Sequence, residues 1–435
     1  MSDATLKSTV LPSISPSEAY ASDLARLQRA APLGPGDDAW LVLAHTLCRL
    51  ADLPPDDVSR VAPQAADVLA VSAVAMGLSS ESTALRAARA LRSLRNPRAR
   101  LANGYDAMTE LVIATQAVAE EQELAGAYGL AYATLRAVLQ AVGARVAPRI
   151  QGNALAQLGR AARQLGATDV AREMYEEAMS LGYECDAQDV IARALLGLGV
   201  LALTRGNYPT AREQFERALM NADRANDPEL IRTAHHGLLN CGLASGDLDS
   251  AMVHGWNVLR LCIAPDSRAE ALMNMAEICR LTGEHDAAIR TYAVAMEWTS
   301  QQRVRVHAMS GALQSAITIN RLTEAHRYLA ELDVILPATP DTYTRAIVGI
   351  EIADSFYRLG EGVLASARLR DALTLATEHG YHELVHRAEQ AASVWCSAAK
   401  PIETFHKDTR RKRPYRSEHF RMVLRSLNGL TAATL

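Results

Sequence analysis

The chain has 435 residues, with 45 Lys and Arg against 49 Asp and Glu for a formal net charge of -4. A single compact core normally stops growing below that length, so several domains or an elongated repeat architecture is expected. The near-neutral charge excludes a global basic field for nucleic acid. With 5% aromatic and 49% hydrophobic residues, burial falls to Ala, Leu and Val, which suits helices packed closely on helices.

The six cysteines (Cys48, Cys185, Cys241, Cys262, Cys279 and Cys396) are spread singly, with none of the paired spacings of a zinc site or a disulfide framework. The opening "MSDATLKSTVLPSISPSEAY" lacks a basic region followed by an apolar one, and the longest apolar run, "VLAVSAVAMGL", is too short to span a bilayer. These features predict a cytoplasmic chain with no membrane partner. Residues 1–17 read as a disordered tail and 18–113 as a helical region of degenerate repeats.

Within that region, "AVAMGLSSESTALRAARALRSLRNPRAR" (Ala73 to Arg100) places Gly77 and Ser79 where a helix-turn-helix has its turn. Arg86, Arg89, Arg92 and Arg95 follow at i, i+3 spacing. Such a stripe can meet an anion, although Thr83 and Arg86 stand where that motif wants apolar residues. A solvated arginine face on a degenerate hairpin is the alternative reading.

From residue 114 the chain repeats. Seven 26-residue segments align without gaps from Ala114, Ala154, Ala194, Ala234, Ala271, Ala308 and Val348. One column reads Gly126, Gly166, Gly206, Gly246, Gly283, Asn320 and Gly360, the residue types that tolerate the left-handed conformation ending a helix. Five residues on stand Ala131, Ala171, Ala211, Ala251, Ala288, Ala325 and Ala365, which predicts a second helix pressed against the first. One turn further come Leu135, Tyr175, Phe215, Gly255, Tyr292, Leu329 and Leu369, bulky in all but one repeat.

These columns resemble the tetratricopeptide repeat family: Leu158-Gly159, Tyr175 and Ala178 fit its pattern, as do Leu198-Gly199, Tyr208, Ala211, Phe215 and Ala218. The spacing of 37 to 40 residues departs from the family's usual 34 and implies longer helices or linkers, and the closing proline is mostly missing. The resemblance implies an all-α fold, a right-handed α-solenoid of antiparallel helix hairpins over 114–399, in which the first helices line a concave binding surface.

Carried over repeat by repeat, the family's contact places fall on Gln116, Glu120 and Glu123, then Asn153, Arg160 and Arg163, then Arg193, His236 and Asn240. Further along they fall on Glu270, Met273, Glu277 and Arg280, on His307 and Gln314, and on Asp354, Tyr357 and Arg358. This mixed charge suits an extended peptide or protein surface more than a small molecule in a dry pocket. The lysine and asparagine clamp used by some family members for chaperone C-termini is absent, since only Asn240 matches.

"GLGVLA" (Gly197 to Ala202) carries the spacing of a dinucleotide-binding loop, yet it lies inside a helix beginning near Asp189, with no strand before it. Gly199 shares its column with Ala119, Gly159, Leu239, Ala276, Leu313 and Ala353, so these glycines read as helix-packing positions and no cofactor is expected. His235, His236 and Cys241 do not share one helix face as metal ligands would, "GEHDA" (Gly283 to Ala287) reads as a polar turn, and no catalytic motif occurs.

Beyond Lys400-Pro401 lies a tail, 400–435, where nine Lys and Arg face three Asp and Glu up to Arg425. Arg410, Arg411, Lys412 and Arg413 form an anion-seeking cluster. Ser417 is placed to cap a helix whose Phe420, Val423, Leu424 and Leu427 share one face, which predicts docking on the last repeat. The sequence thus points to a non-enzymatic interaction scaffold binding a protein or peptide. Its alternative is a ligand-responsive transcriptional regulator whose arginine stripe or basic tail contacts nucleic acid.

Overall fold

A computed structural model describes residue 66 and residues 83–93, 105–142, 145–397 and 417–429. Among these residues the chain is all-α, a solenoid of helix hairpins with no strand. The helices are α1 (Thr83–Ser93), α2 (Ala107–Leu124), α3 (Tyr128–Val142), α4 (Pro148–Gln164), α5 (Thr168–Glu184), α6 (Gln188–Thr204), α7 (Tyr208–Ala225) and α8 (Pro228–Ser245). They continue with α9 (Leu248–Leu261), α10 (Pro265–Leu281), α11 (His285–Trp298), α12 (Gln302–Thr318), α13 (Leu322–Ile335), α14 (Thr342–Arg358), α15 (Gly362–Glu378), α16 (His382–Ser397) and α17 (Glu418–Asn428). The predicted start of the array at residue 114 falls inside α2, because each first helix begins about two turns before its repeat segment.

The chain divides between Ala234 and His235 into two compact units. In the first, α2 and α3, α4 and α5, and α6 and α7 pair as hairpins, and the first helices α2, α4 and α6 pack side by side. In the second, α10 and α11, α12 and α13, and α14 and α15 pair, with α10, α12, α14 and α16 as the adjacent first-helix row.

The turn column ends each first helix as expected. Gly126, Gly166, Gly206, Gly246, Gly283 and Gly360 have φ between 74° and 82°, and Asn320 has φ 60°. At Gly166 the backbone N–H bonds Arg163 O at 3.0 Å while Ala167 N–H bonds Ala162 O at 3.0 Å, the paired bonds that close a helix end. A Cβ at Gly166 would meet nothing within 4 Å, so the demand there is conformational and not steric.

The alanine column is fully buried at all seven positions, 0% exposed in each. Replacing Ala211 by Leu is therefore expected to overpack the α6–α7 hairpin and cost about 1 to 2 kcal/mol. Chemical denaturation checks this, and an unchanged midpoint would mean that the hairpin contact is not close.

Helix length accounts for the repeat spacing in part, since α13, in the 40-residue repeat from Ala308, has only 14 residues and is followed by the 3-10 turn Leu336–Ala338. In the 40-residue repeats from Ala154 and Ala194 the second helices have 17 and 18 residues (α5, α7), whereas in the 37-residue repeats from Ala234 and Ala271 they have 14 (α9, α11). Three to four residues, one helical turn, are gained or lost without disturbing the register of the first helices.

The C-terminal helix departs from expectation. Ser417 Oγ accepts the Phe420 N–H at 3.1 Å, and Phe420, Val423 and Leu427 are buried, as the sequence suggests. Instead of the last repeat, α17 docks on α9 and α11. Polar contacts fix both of its ends there: Ser417 N–H donates to Asp249 Oδ2 at 3.3 Å, and Arg290 donates to Asn428 Oδ1 at 2.6 Å.

Candidate functional site

On a first helix the core takes positions such as Ala154, Leu158 and Ala161, which leaves Asn153, Gln157, Arg160 and Arg163 on a neighbouring stripe, about 100° round, at i, i+4, i+7 and i+10. Repeating this along adjacent first helices brings polar side chains of different repeats together. Each unit forms one such cluster.

In the first unit, Arg160 of α4 pairs with Glu123 of α2 at 2.6 Å, and Gln157 donates to the Gln116 carbonyl at 3.0 Å. Arg149 and Asn153 of α4 reach Asp189 of α6, at 3.1 and 3.5 Å. Arg193 reaches Asp227 at 3.5 Å, while Glu120 stays exposed. Burial raises the Glu123 pKa despite Arg160, whose charge and hydrogen bond act against it. At Asp189 burial also pushes upward, but the Arg149 hydrogen bond and charge, with Asn153 and Arg193, outweigh it and hold the carboxyl below its ordinary value. Three polar atoms of this face, Glu123 Oε1, Asn153 Oδ1 and Arg163 Nε, are buried with no hydrogen-bond partner. The Glu123 side chain is 9% exposed.

Tyr175 of α5 belongs to this cluster, although it lies on a second helix. Arg163 lies beside its hydroxyl, and the guanidinium charge opposes the burial that raises the Tyr175 pKa. The ring gets there between two glycines: a Cβ at Gly159 would stand 2.9 Å from it and one at Gly197 only 2.2 Å. The glycines of "GLGVLA" are thus packing positions, Gly197 against Tyr175 and Gly199 against Phe215.

The second unit repeats the device. The Tyr292 hydroxyl of α11 donates to Glu277 of α10 at 2.7 Å, and its ring passes Gly311 of α12, where a Cβ would stand 2.3 Å away. Glu277 also accepts from Arg280 at 2.7 Å. Glu351 of α14 accepts from Ser310 of α12 at 2.7 Å and pairs with Arg387 of α16 at 3.4 Å. His307 lies 3.4 Å from Thr344 Oγ1, and Arg303 pairs with Glu270 at 3.1 Å. Glu277, Arg280, His307 and Glu351 act electrostatically on one another, so they form one network.

The remaining predicted residues are placed as follows. Asp354 pairs with Arg358 at 2.7 Å, and Tyr357 stacks on Trp395 with centroids 4.8 Å apart. Met273 and Gln314, and His236 and Asn240 on α8, are half-buried. His235 meets His254 with their Nδ1 atoms 3.0 Å apart, and among the described residues no three His, Cys, Asp or Glu could hold a metal ion. On α1, Arg86 is drawn to Glu110 at 3.4 Å and Arg89 donates to the Leu85 carbonyl, while Arg92 is exposed. Arg95 and Arg410, Arg411, Lys412 and Arg413 lie outside the described residues.

Sequence reasoning missed Gln157, Tyr175, Tyr292, Ser310 and Glu351. The signal was present in the sequence: a tyrosine in the bulky column (Tyr175, Tyr292) is followed in the next first helix by glycine at one fixed place (Gly197, Gly311). In the other repeats that place carries Ala117, Gln157, Gly237, Asn274 and Glu351.

Burial first, then Arg303, hold the His307 imidazole below its ordinary value of 6.5 against Glu351, and burial with Arg280 does the same at His285. Each imidazole therefore binds its proton less readily in the fold than in the unfolded chain, so below about 6.5 the unfolded chain binds more protons. Stability is expected to be full above 6.5 and to fall as the pH drops below it. Denaturation at about pH 7.5 and 5.5 checks this, with a shallower fall in His307→Gln. Glu123, raised above its ordinary 4.5, acts with the opposite sign, so only the difference between the two chains is diagnostic. An identical fall in both would contradict a His307 pKa lowered by burial.

Stacked helix hairpins with polar first-helix faces define a helical-repeat scaffold. Sequence models described as tetratricopeptide repeat match residues 152–181 and 271–303. Tetratricopeptide repeats thus stand in both compact units of the chain. No curated protein matches it.

Among solved structures it is similar to a signal-transduction ATPase of the STAND class with a tetratricopeptide repeat sensor from Pyrococcus horikoshii. The identity is 13%, covering 87% of this chain and 74% of that one, with a TM-score of 0.52. It is also similar to aspartyl phosphate phosphatase F from Bacillus subtilis (9% identity, 77% and 93% covered, TM-score 0.49). A third is a Rap conjugation gene regulator of the plasmid pLS20 in complex with the Phr* peptide (13%, 77% and 95%, TM-score 0.44). At these identities the likeness bears on the fold alone. Among the described residues no helix is long and apolar enough to cross a membrane.

Proposed function

We propose that the chain binds an extended peptide segment of a partner protein along its first-helix faces, without catalysis. The observation that carries this reading is the set of buried, unpaired polar atoms in the first unit: Glu123 Oε1, Asn153 Oδ1 and Arg163 Nε. A buried polar atom left unpaired costs about 1 to 3 kcal/mol, so a ligand that satisfies three of them gains what the free protein lacks. Two are acceptors and one is a donor. An extended peptide offers N–H and C=O groups in alternation at a few ångströms' spacing and suits such a mixed set, whereas a simple anion or cation satisfies only one kind.

In the second unit the Glu277, Arg280, Ser310, Glu351 and Arg387 network is internally paired, so that unit's face, taken by itself, fixes side-chain positions and suits reading the side chains of a bound peptide by charge. The glycine-framed tyrosines hold Arg163 and Glu277 in place. The test is to select random 12-residue peptides by display on the purified chain and to measure the winners against Asn153→Ala, Arg163→Ala and Glu351→Gln. A loss of about tenfold or more, with the thermal midpoint retained, is the expected result. Undiminished binding to all three variants, or failure to enrich any peptide, would defeat the reading.

A further inference from the structure

The second unit also carries an open pocket outside the first-helix face. Its volume is about 220 Å3, and its walls are apolar, formed by Leu336 and Pro337 of the 3-10 turn, Ile352 of α14 and Leu375 of α15. It opens on a different stripe of α14. Arg345, Gly349 and Ile352 recur at i, i+4 and i+7, whereas Glu351 of the polar network stands two residues, about 200°, round the helix from Gly349. Gly349 keeps the floor low, since a Cβ there would come within 3.1 Å of Ala372 Cβ.

Three charged side chains reach this chamber, and they differ in what already holds them. Arg368 is engaged by Asp333 at 2.6 Å, and Asp371 is exposed at the mouth. Arg345 Nε is buried with no hydrogen-bond partner. A guanidinium N–H with no acceptor, set in an apolar wall, is a donor waiting for a charged oxygen, because charge-assisted bonds to carboxylates are the strongest it makes. Asp371 is exposed and screened by water, and Arg368 is paired, which leaves Arg345 as the lining charge with an unpaired buried donor.

We infer that this cavity is a binding site for a small organic carboxylate with a short apolar body, its head on Arg345 and its body against Leu336, Ile352 and Leu375. The volume lies below that of pockets for drug-sized ligands and suits on the order of ten non-hydrogen atoms, an acid of roughly four to eight carbons. An amine would meet Arg345 as a like charge, and a neutral amide of the same shape would give up the charge assistance.

The test titrates the full chain with 4-methylpentanoate, hexanoate and 4-methylpentanamide by isothermal calorimetry or ligand-observed NMR. Both carboxylates are expected to bind saturably, with the amide about tenfold weaker or worse. Arg345→Gln is expected to weaken the carboxylates by a similar factor, and Leu375→Trp to remove their binding by filling the chamber. Circular dichroism verifies folding. Should Arg345→Gln fail to fold, the carboxylate and amide comparison on the unaltered chain and the Leu375→Trp variant decide the matter. Absence of saturable binding up to about 10 mM, equal binding of the amide, or unchanged affinity in a folded Arg345→Gln would overturn the assignment.

Discussion

Replacing Phe420 by alanine is expected to release α17 from the second unit. Phe420 is 0% exposed, and it lies on one stripe with Val423 and Leu427 at i, i+3 and i+7. Deleting a buried phenyl ring costs about 3 to 5 kcal/mol, and an 11-residue helix has almost no stability in water alone. The loss therefore exceeds what the Ser417–Asp249 and Arg290–Asn428 hydrogen bonds can offset at an exposed surface. Amide exchange over 417–429 should accelerate to nearly the unprotected rate. Met422→Ala, at a 54% exposed position on the opposite side, should leave it unchanged. Continued protection of those amides in Phe420→Ala would mean that the helix is held by something other than its apolar stripe.

The second large effect is expected at Gly197. A methyl group there would stand 2.2 Å from Tyr175 Cζ, and the ring also packs closely on Gly159, where a Cβ would come within 2.9 Å of it. Tyr175 is 2% exposed, so no solvent-filled space receives it. Gly197→Ala is expected to cost about 3 kcal/mol, at the upper end for overpacking, and to displace the hydroxyl from Arg163. The decisive comparison is a double-mutant cycle. Tyr175→Leu in the Gly197→Ala background should recover most of the loss, since the two changes act through one contact. Strict additivity of the two substitutions would show that ring and glycine do not meet.

Much of the fold was legible in the sequence because its demands fall on single columns. A left-handed turn residue and a fully buried alanine recur with a fixed offset, and nothing but closely packed hairpins requires both. The docking place of α17 was not legible. Amphipathic spacing reveals that Phe420, Val423 and Leu427 need cover, but the cover is supplied by α9 and α11, far away in sequence and marked locally only by Asp249 and Arg290.

The polar clusters were half legible. Family places led to Glu123, Arg160, Arg163, Glu277, Arg280 and His307, because those side chains share a stripe within one helix. Tyr175 and Tyr292 were assigned to the core by their column, and they are core along the ring. Only their hydroxyls emerge between the first helices, a consequence of glycines one repeat further on. Glu351 was passed over for a related reason: it stands one place beyond the expected stripe, where its partners Ser310 and Arg387 come from neighbouring repeats.

The central claim is that the first-helix faces take an extended peptide. Its most direct measurement is photo-cross-linking of a display-selected peptide carrying a photoreactive residue at successive positions, with the adducts mapped by mass spectrometry. The account predicts adducts on the first helices, on α2, α4 and α6 or on α10, α12 and α14, at or beside Gln157, Arg163, Ser310 and Glu351, shifting in order as the reactive position moves along the peptide. Adducts concentrated on second helices such as α5, α7 or α11, or unrelated to peptide position, would contradict it.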